Sequence, residues 1–196
     1  MQQRILGRTG QPISELALGG LFVSRVGGDR EEAIRAIHRA LELGVNWIDT
    51  APGYHDSEEV IGAALRSAPR EALLSTKLGG RPLPFDPRDR HALRASFEES
   101  LRLLGRDHVD LLLIHEPERP GQYDWWTDWE NLDGPVLEVL EELKAQGKIR
   151  WTGVGGTTAY EMARFLATGR FDVVLTAFNY SLLWREAEIA VLPEAA

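Results

Sequence analysis

Along the 196 residues, hydrophobic and polar positions switch repeatedly between two periods. Short aliphatic runs alternate with longer stretches in which apolar residues recur every three to four positions, the pattern of strands followed by amphipathic helices. The chain opens with a hairpin pattern, residues 4–6 and 11–13 around the turn Arg8-Thr9-Gly10. A first strand is expected at residues 15–18 and a first helix at 29–43, with Asp29 and Glu32 as a capping-box pair, Ile34, Ile37 and Leu41 on one face, and Gly44 just past its end. Val45-Asn46-Trp47-Ile48 reads as the next strand. A helix at residues 57–67 then buries Val60, Ile61, Ala64 and Leu65.

The alternation continues to the end of the chain. Residues 73–77 form a strand, and Asp86-Pro87 is expected to open a helix carrying Leu93, Phe97, Leu101 and Leu104 up to Gly105. Residues 109–114 form the fourth strand of the series, 135–146 a helix stopped by Gly147, and 149–154 a strand. Thr158, with Glu161 three positions on, is expected to cap a helix, 171–177 to form a sixth strand, and a sixth helix to begin near Arg185. Repeated strand-helix units argue for a parallel sheet in an α/β fold.

Four polar residues fall at or just beyond the C-terminal ends of these strands: Asp49, Tyr54, Lys77 and His115. In an α/β barrel that end collects the catalytic side chains. A phenol with an ordinary pKa of about 10 transfers protons poorly near neutrality unless a cation stabilises its anion. Lys77 is the candidate cation, Asp49 its counter-ion, and His115 a hydrogen-bond partner for a carbonyl oxygen on which charge develops. The set suits carbonyl chemistry. Singly, each residue also has an ordinary structural explanation; their joint placement carries the argument.

Composition narrows the class. A hydrophobic fraction of 43% supplies a core for one domain, spanning residues 1–196. With no cysteine, disulfides and thiolate chemistry are excluded. The start, Met1-Gln2-Gln3-Arg4, lacks the apolar region of a secretory signal, and no run reaches membrane-spanning length, so neither membrane nor export is expected. A net charge of −8 disfavours a nucleic-acid partner and suits a soluble cytoplasmic protein. No metal site is expected: no histidine pair has ligand spacing. His38, His91 and His108 read as surface or packing residues, whereas His55, next to Tyr54, is a pocket candidate.

The segments Gly44-Val45-Asn46-Trp47-Ile48-Asp49-Thr50-Ala51-Pro52-Gly53-Tyr54, Ser57-Glu58, Gly62 and Leu65 resemble the signature of the aldo-keto reductases. Ser75-Thr76-Lys77 and the run from Asp110 to His115 are similar to that family's lysine and histidine segments, in the same order. The resemblance covers nearly the whole chain. It implies a (β/α)8 TIM barrel that transfers a hydride between NADPH, or alternatively NADH, and an aldehyde, ketone or aldose. Tyr54 would be general acid and base, Lys77 and Asp49 its partners, and His115 the residue orienting the carbonyl. It further implies Gly20, Asp49, Gly155 and Gly156 as cofactor-binding positions and Phe22, His55 and Trp125 as pocket residues. Gly155-Gly156 replaces the family's frequent Ser-Asn pair, and Ala177 a frequent glutamine, with Thr176 and Asn179 as alternative polar groups. The Gly19-Gly20-Leu21-Phe22 segment is similar to the branch that oxidises free aldoses.

About six of eight strand-helix units are legible, where a closed barrel typically takes about 250 residues. The expectation is a C-terminally incomplete barrel, without the last units that in the family hold the cofactor phosphates, and therefore weak in NADPH binding on its own. Open sheet edges favour self-association or pairing with another chain. The rival reading is a catalytically inactive barrel fragment acting as an interaction or regulatory module. A third is a phosphate-binding protein using the turn Gly153-Val154-Gly155-Gly156-Thr157-Thr158, which otherwise reads as a tight turn and helix cap. Finally, the loop at 116–132 carries Tyr123, Trp125, Trp126 and Trp129, which either wall a substrate pocket or cover the barrel mouth or a subunit contact.

Overall fold

A computed structural model describes residues 1–81 and 83–196. Strands β1 (Gln3–Ile5) and β2 (Pro12–Ser14) form an antiparallel hairpin with Arg4 opposite Ile13. The six strands that follow are all parallel and lie in chain order: β3 (Leu18–Gly19), β4 (Trp47–Asp49), β5 (Leu73–Leu78), β6 (Val109–His115), β7 (Ile149–Gly156) and β8 (Val173–Thr176). Such a sheet, curled with helices on its outside, is six strands of a (β/α)8 barrel.

Helices α1 (Arg30–Glu42), α2 (Ser57–Leu65), α3 (Arg90–Leu104), α4 (Pro135–Ala145) and α5 (Ala159–Ala167) connect successive strands from β3 to β8 or flank them. At the N-terminus of α1, Asp29 accepts from the Glu31 and Glu32 amides, which is one half of the expected capping box; the Glu32 side chain makes no return bond to the Asp29 amide. Gly44 takes φ +93° after its last turn. Helix α3 starts later than expected: Asp89 is its cap, and Asp86-Pro87 forms a separate turn in which Asp86 Oδ1 accepts from Arg88 N. A proline after an Asx residue starts a turn as readily as a helix, so the pattern is ambiguous locally. The first barrel strand is likewise shifted from 15–18 to Leu18–Gly19, because β1 and β2 draw Ser14 and Glu15 into the hairpin. The last helical segment is broken into α6 (Glu186–Ile189) and α7 (Val191–Ala195).

Alternation along the strands divides the interior in two. Ile48, Leu74, Leu78, Leu112, Ile114 and Val154 face the helices and join the main core with Ile37, Ile61, Phe97 and Val139. Trp47, Leu111 and Leu113 face the barrel interior, where Leu6 and Ile13 of the hairpin and Trp151 and Val173 pack against them. Trp47 is therefore core: its ring stacks on Trp151 with centroids 6.4 Å apart, and its Nε1–H donates to Ser75 Oγ at 3.0 Å. Because side chains alternate strictly, Asp49, Ser75, Lys77 and His115 share the interior face with these residues.

Helices α2 and α3 approach closely at Gly62, where a Cβ would stand 2.3 Å from Leu103 O. Among the described residues, no helix is long and apolar enough to cross a membrane.

Candidate active site

Register brings the strand ends together. Asp49 pairs with Ser75, Lys77 with Leu113, and His115 with Gly155. On the interior face, Lys77 Nζ donates to Asp49 Oδ2 at 2.7 Å and to Thr50 O at 2.7 Å. Asp49 Oδ1 accepts from Ser75 Oγ–H at 2.6 Å, so both carboxylate oxygens have donors. Lys77 is 2% exposed and Asp49 15%, so the pair is largely withdrawn from solvent.

Tyr54 closes the group. Its half-buried ring lies 4.8 Å from Lys77 Nζ, and its centroid is 5.9 Å from that of His115, nearly perpendicular. Burial together with the positive charge of Lys77 pushes the His115 imidazole down to a pKa of about 3, so the ring is neutral near pH 7. A neutral imidazole beside a cation can donate a hydrogen bond without adding a second charge.

The backbone turns sharply directly after both residues. His55 has φ +52° and Glu116 φ +47°. Left-handed conformations are uncommon outside glycine and gather at functional sites. Histidine is among the residue types enriched there, whereas nothing in the residue type announced the turn at Glu116.

The chain segment beyond His115 is fastened to β7. Glu116 N–H donates to Gly155 O at 2.7 Å, and Glu118 Oε1 accepts from the amides of Thr157 at 2.6 Å and Thr158 at 3.2 Å. This corrects the expected Thr158 cap and weighs against the phosphate-binding alternative. Thr158 makes no side-chain cap to α5, because Glu118 supplies it from another loop. The turn at 153–158 is also not an open phosphate cradle: its amides are already satisfied by a carboxylate, whose oxygens lie 2.5 Å from where a Gly156 Cβ would stand. Gly156 thus leaves room for Glu118 and for Met162, whose Cε would stand 2.6 Å from such a Cβ. The acidic residue 40 positions earlier in the chain carries no local sequence pattern linking it to this turn.

Gly20, directly after β3, packs against the end of β4, where a Cβ would meet Asp49 O at 2.7 Å. Gly155 presents bare backbone beside Lys77, with room for a Cβ at 3.7 Å from Lys77 Cε. Asn179 is occupied internally, its Nδ2 donating to Thr157 O and Thr176 Oγ1. Phe22 and His55 are exposed on the same face. Trp125 is not a pocket wall: at 0% exposure its ring is enclosed with Phe85 and Tyr123, and its Nε1–H donates to His115 O at 3.1 Å. Trp126 is likewise buried, stacked on Phe165, so the aromatic loop mainly braces the barrel mouth. Among the described residues no group of three or more histidines, cysteines or carboxylates is arranged to hold a metal ion. A separate cleft of about 380 Å³, lined by Asn46, Arg106, Asp110 and Arg150, lies at the opposite strand ends, away from the tetrad.

Parallel strands in chain order, with Asp49, Lys77 and His115 at their C-terminal ends and Tyr54 in the loop beyond, make this part of an α/β barrel with a polar site at its C-terminal face. Residues 15–193 match the aldo/keto reductase family, and the chain belongs to that family. It is 31% identical to an NADH-specific methylglyoxal reductase of Escherichia coli, over 98% of this chain and 63% of that protein. A D-threo-aldose 1-dehydrogenase of Pseudomonas is 28% identical over 85% of this chain and 56% of its own length. The chain therefore spans less than two thirds of these relatives. Among solved structures, an aldo-keto reductase from Pseudomonas aeruginosa superposes with a TM-score of 0.80 at 30% identity, covering 98% of this chain and 73% of that one.

Proposed function

We propose that this chain carries the catalytic face of an NAD(P)-dependent oxidoreductase acting on an aldehyde, ketone or aldose. One observation carries the reading: Asp49, Lys77, Tyr54 and His115 converge at adjacent strand ends, with the ammonium 4.8 Å from the phenol ring and 2.7 Å from the carboxylate. The relatives named above as a methylglyoxal reductase and an aldose dehydrogenase support it.

The nicotinamide end of a cofactor fits this face. The flat Gly155 backbone beside Lys77 and opposite His115 suits a planar ring. Its phosphates find no ready cradle among the described residues, since Glu118 takes the amides at the start of α5. When bound, NAD(P)H supplies the hydride. Tyr54 gives its hydroxyl proton to the carbonyl oxygen in reduction and takes it back in oxidation. The Lys77 ammonium offsets the negative charge left on the phenol, and Asp49 keeps that ammonium charged and aimed inward. Neutral His115 donates a hydrogen bond to the same oxygen and so orients the carbonyl.

The test is NAD(P)H oxidation with small aldehydes by the chain and by Tyr54→Phe. Loss of turnover by at least about 100-fold, with unchanged circular dichroism, is expected. Full activity in Tyr54→Phe refutes the proton-transfer role.

A second reading, an interaction module without catalysis, is favoured by one feature. The segment after β8 exposes Phe178, Leu182, Leu183 and Trp184 beside an unpaired strand edge, which suits pairing with another chain. Absence of NAD(P)H binding by the chain, together with concentration-dependent self-association in sedimentation, would select it.

A further inference from the structure

The loop after β3 is tied to the segment from Thr50 to Ser57 that contains Tyr54. Gly20 O accepts from Ser57 Oγ–H at 2.7 Å, and Ser57 Oγ lies 2.8 Å from Thr50 Oγ1. Beyond it the chain closes a tight turn: Ser24 Oγ–H donates to Leu21 O at 2.6 Å, and Gly27 N–H to Ser24 O at 2.9 Å. Gly27 is pressed so closely onto Phe22 that no Cβ fits, since one would stand 1.8 Å from Phe22 O.

Arg25 stands at the apex of this turn, held against the residues that follow Tyr54. Its backbone N–H donates to Asp56 Oδ1 at 2.8 Å, and its Nη2 lies 3.0 Å from His55 Nδ1. The Asp56 carboxylate thus meets the backbone and not the guanidinium. Nearby Glu59 is engaged by Arg30 at 2.9 Å, and Glu58 is buried and bound by Thr76 and Arg81. Among the described residues, Arg25 has no carboxylate within ion-pair distance, although most arginines of this acidic chain do. A guanidinium held by an imidazole and not by a carboxylate is an unspent anion receptor, and Phe22, three positions earlier in the same loop, is exposed.

We propose that Arg25 is a specificity residue of the carbonyl site, selecting substrates that carry a carboxylate or phosphate group besides the reacting carbonyl. The inference rests on the oxidoreductase reading above and names its substrate class. The anionic group stays unchanged: hydride passes from NAD(P)H to the carbonyl carbon, the Tyr54 proton passes to its oxygen, and NAD(P)+ leaves. The net charge of −8 repels anions at long range, so a local cation at the mouth is what admits them. Phe22 supplies apolar surface for the remainder of the substrate.

The test is ligand-observed NMR titration of the chain and of Arg25→Gln with benzaldehyde, 4-carboxybenzaldehyde and 4-formylphenyl phosphate. Both anionic ligands are expected to bind about tenfold tighter than benzaldehyde, an advantage that Arg25→Gln removes without changing benzaldehyde binding. The stronger of the two anionic ligands identifies which group the site takes. Equal binding of all three by the wild type, or an anion advantage that survives Arg25→Gln, overturns the proposal. NAD(P)H oxidation with the same three compounds separates the two readings. Arg25-dependent binding without turnover of any compound defeats the oxidoreductase reading alone, whereas turnover with a preference indifferent to Arg25→Gln defeats the specificity role alone.

Discussion

Asp49→Asn removes the counter-ion of a lysine that is only 2% exposed, while preserving side-chain shape. At 2.7 Å the pair attracts by about 6 kcal/mol if the effective dielectric is about 20, and much of that offsets the cost of taking both ions out of water. Breaking a buried pair by deleting one partner typically costs about 3–5 kcal/mol, because the other charge stays buried. Here the lower end applies. Asp49 keeps 15% exposure, and the ammonium retains Thr50 O at 2.7 Å as an acceptor. A loss of about 3 kcal/mol is expected, which for a chain of this size lowers the melting temperature by roughly 6–12 °C. The double variant D49N/K77M removes the stranded charge, and about half or more of the loss should return. Urea denaturation of wild type, both single variants and the double variant measures this as a cycle. A change under about 1 kcal/mol for Asp49→Asn, or a double variant no more stable than the single, refutes the claim that Lys77 is charged and dependent on Asp49.

Three further perturbations test other parts of the molecule. His115 titrates near 3 when folded but near its ordinary 6.5 when unfolded, so below 6.5 the unfolded chain binds the extra proton. Stability should therefore fall as pH drops from about 6.5 toward 3, and His115→Asn should flatten that part of a denaturation-versus-pH curve; an unchanged slope counts against a buried neutral ring. Gly62→Ala drives a methyl group against the α3 backbone at Leu103 O, 2.3 Å away, and should destabilise by about 1–3 kcal/mol in urea melts, with an effect below 0.5 telling against close helix packing. Glu118→Ala strips the cap from α5 and should cost about 1 kcal/mol, with faster hydrogen exchange at the Thr157 and Thr158 amides; unaltered exchange there would show that Glu118 does not hold them.

Local pattern carried most of the secondary structure. Asp29 caps α1 as expected, without the return bond from Glu32, Gly44 and Gly105 take positive φ where a helix stops, and β6 follows the run Val109–His115. The tetrad was legible for a related reason: a strand end is a local feature, and period-two alternation places Asp49, Lys77 and His115 on one face once the sheet is parallel. The start of α3 was misplaced because Asp86-Pro87 satisfies a turn and a helix cap equally well at the level of neighbouring residues.

The succession of βα units and the parallel sheet followed from periodicity, turns and caps along the chain, whereas the barrel and the family followed from the resemblance of the segments around Asp49, Lys77 and His115 to the aldo-keto reductases. Tertiary structure decided whatever depends on partners far apart in the chain. It placed Trp125 in a sealed aromatic cluster instead of a pocket wall, closed the 153–158 turn with Glu118, and set Arg25 against His55. Burial, capping between loops and the absence of a counter-ion are properties of space. They arise only when segments separated by dozens of residues are brought within a few ångströms, and no window along the chain contains them.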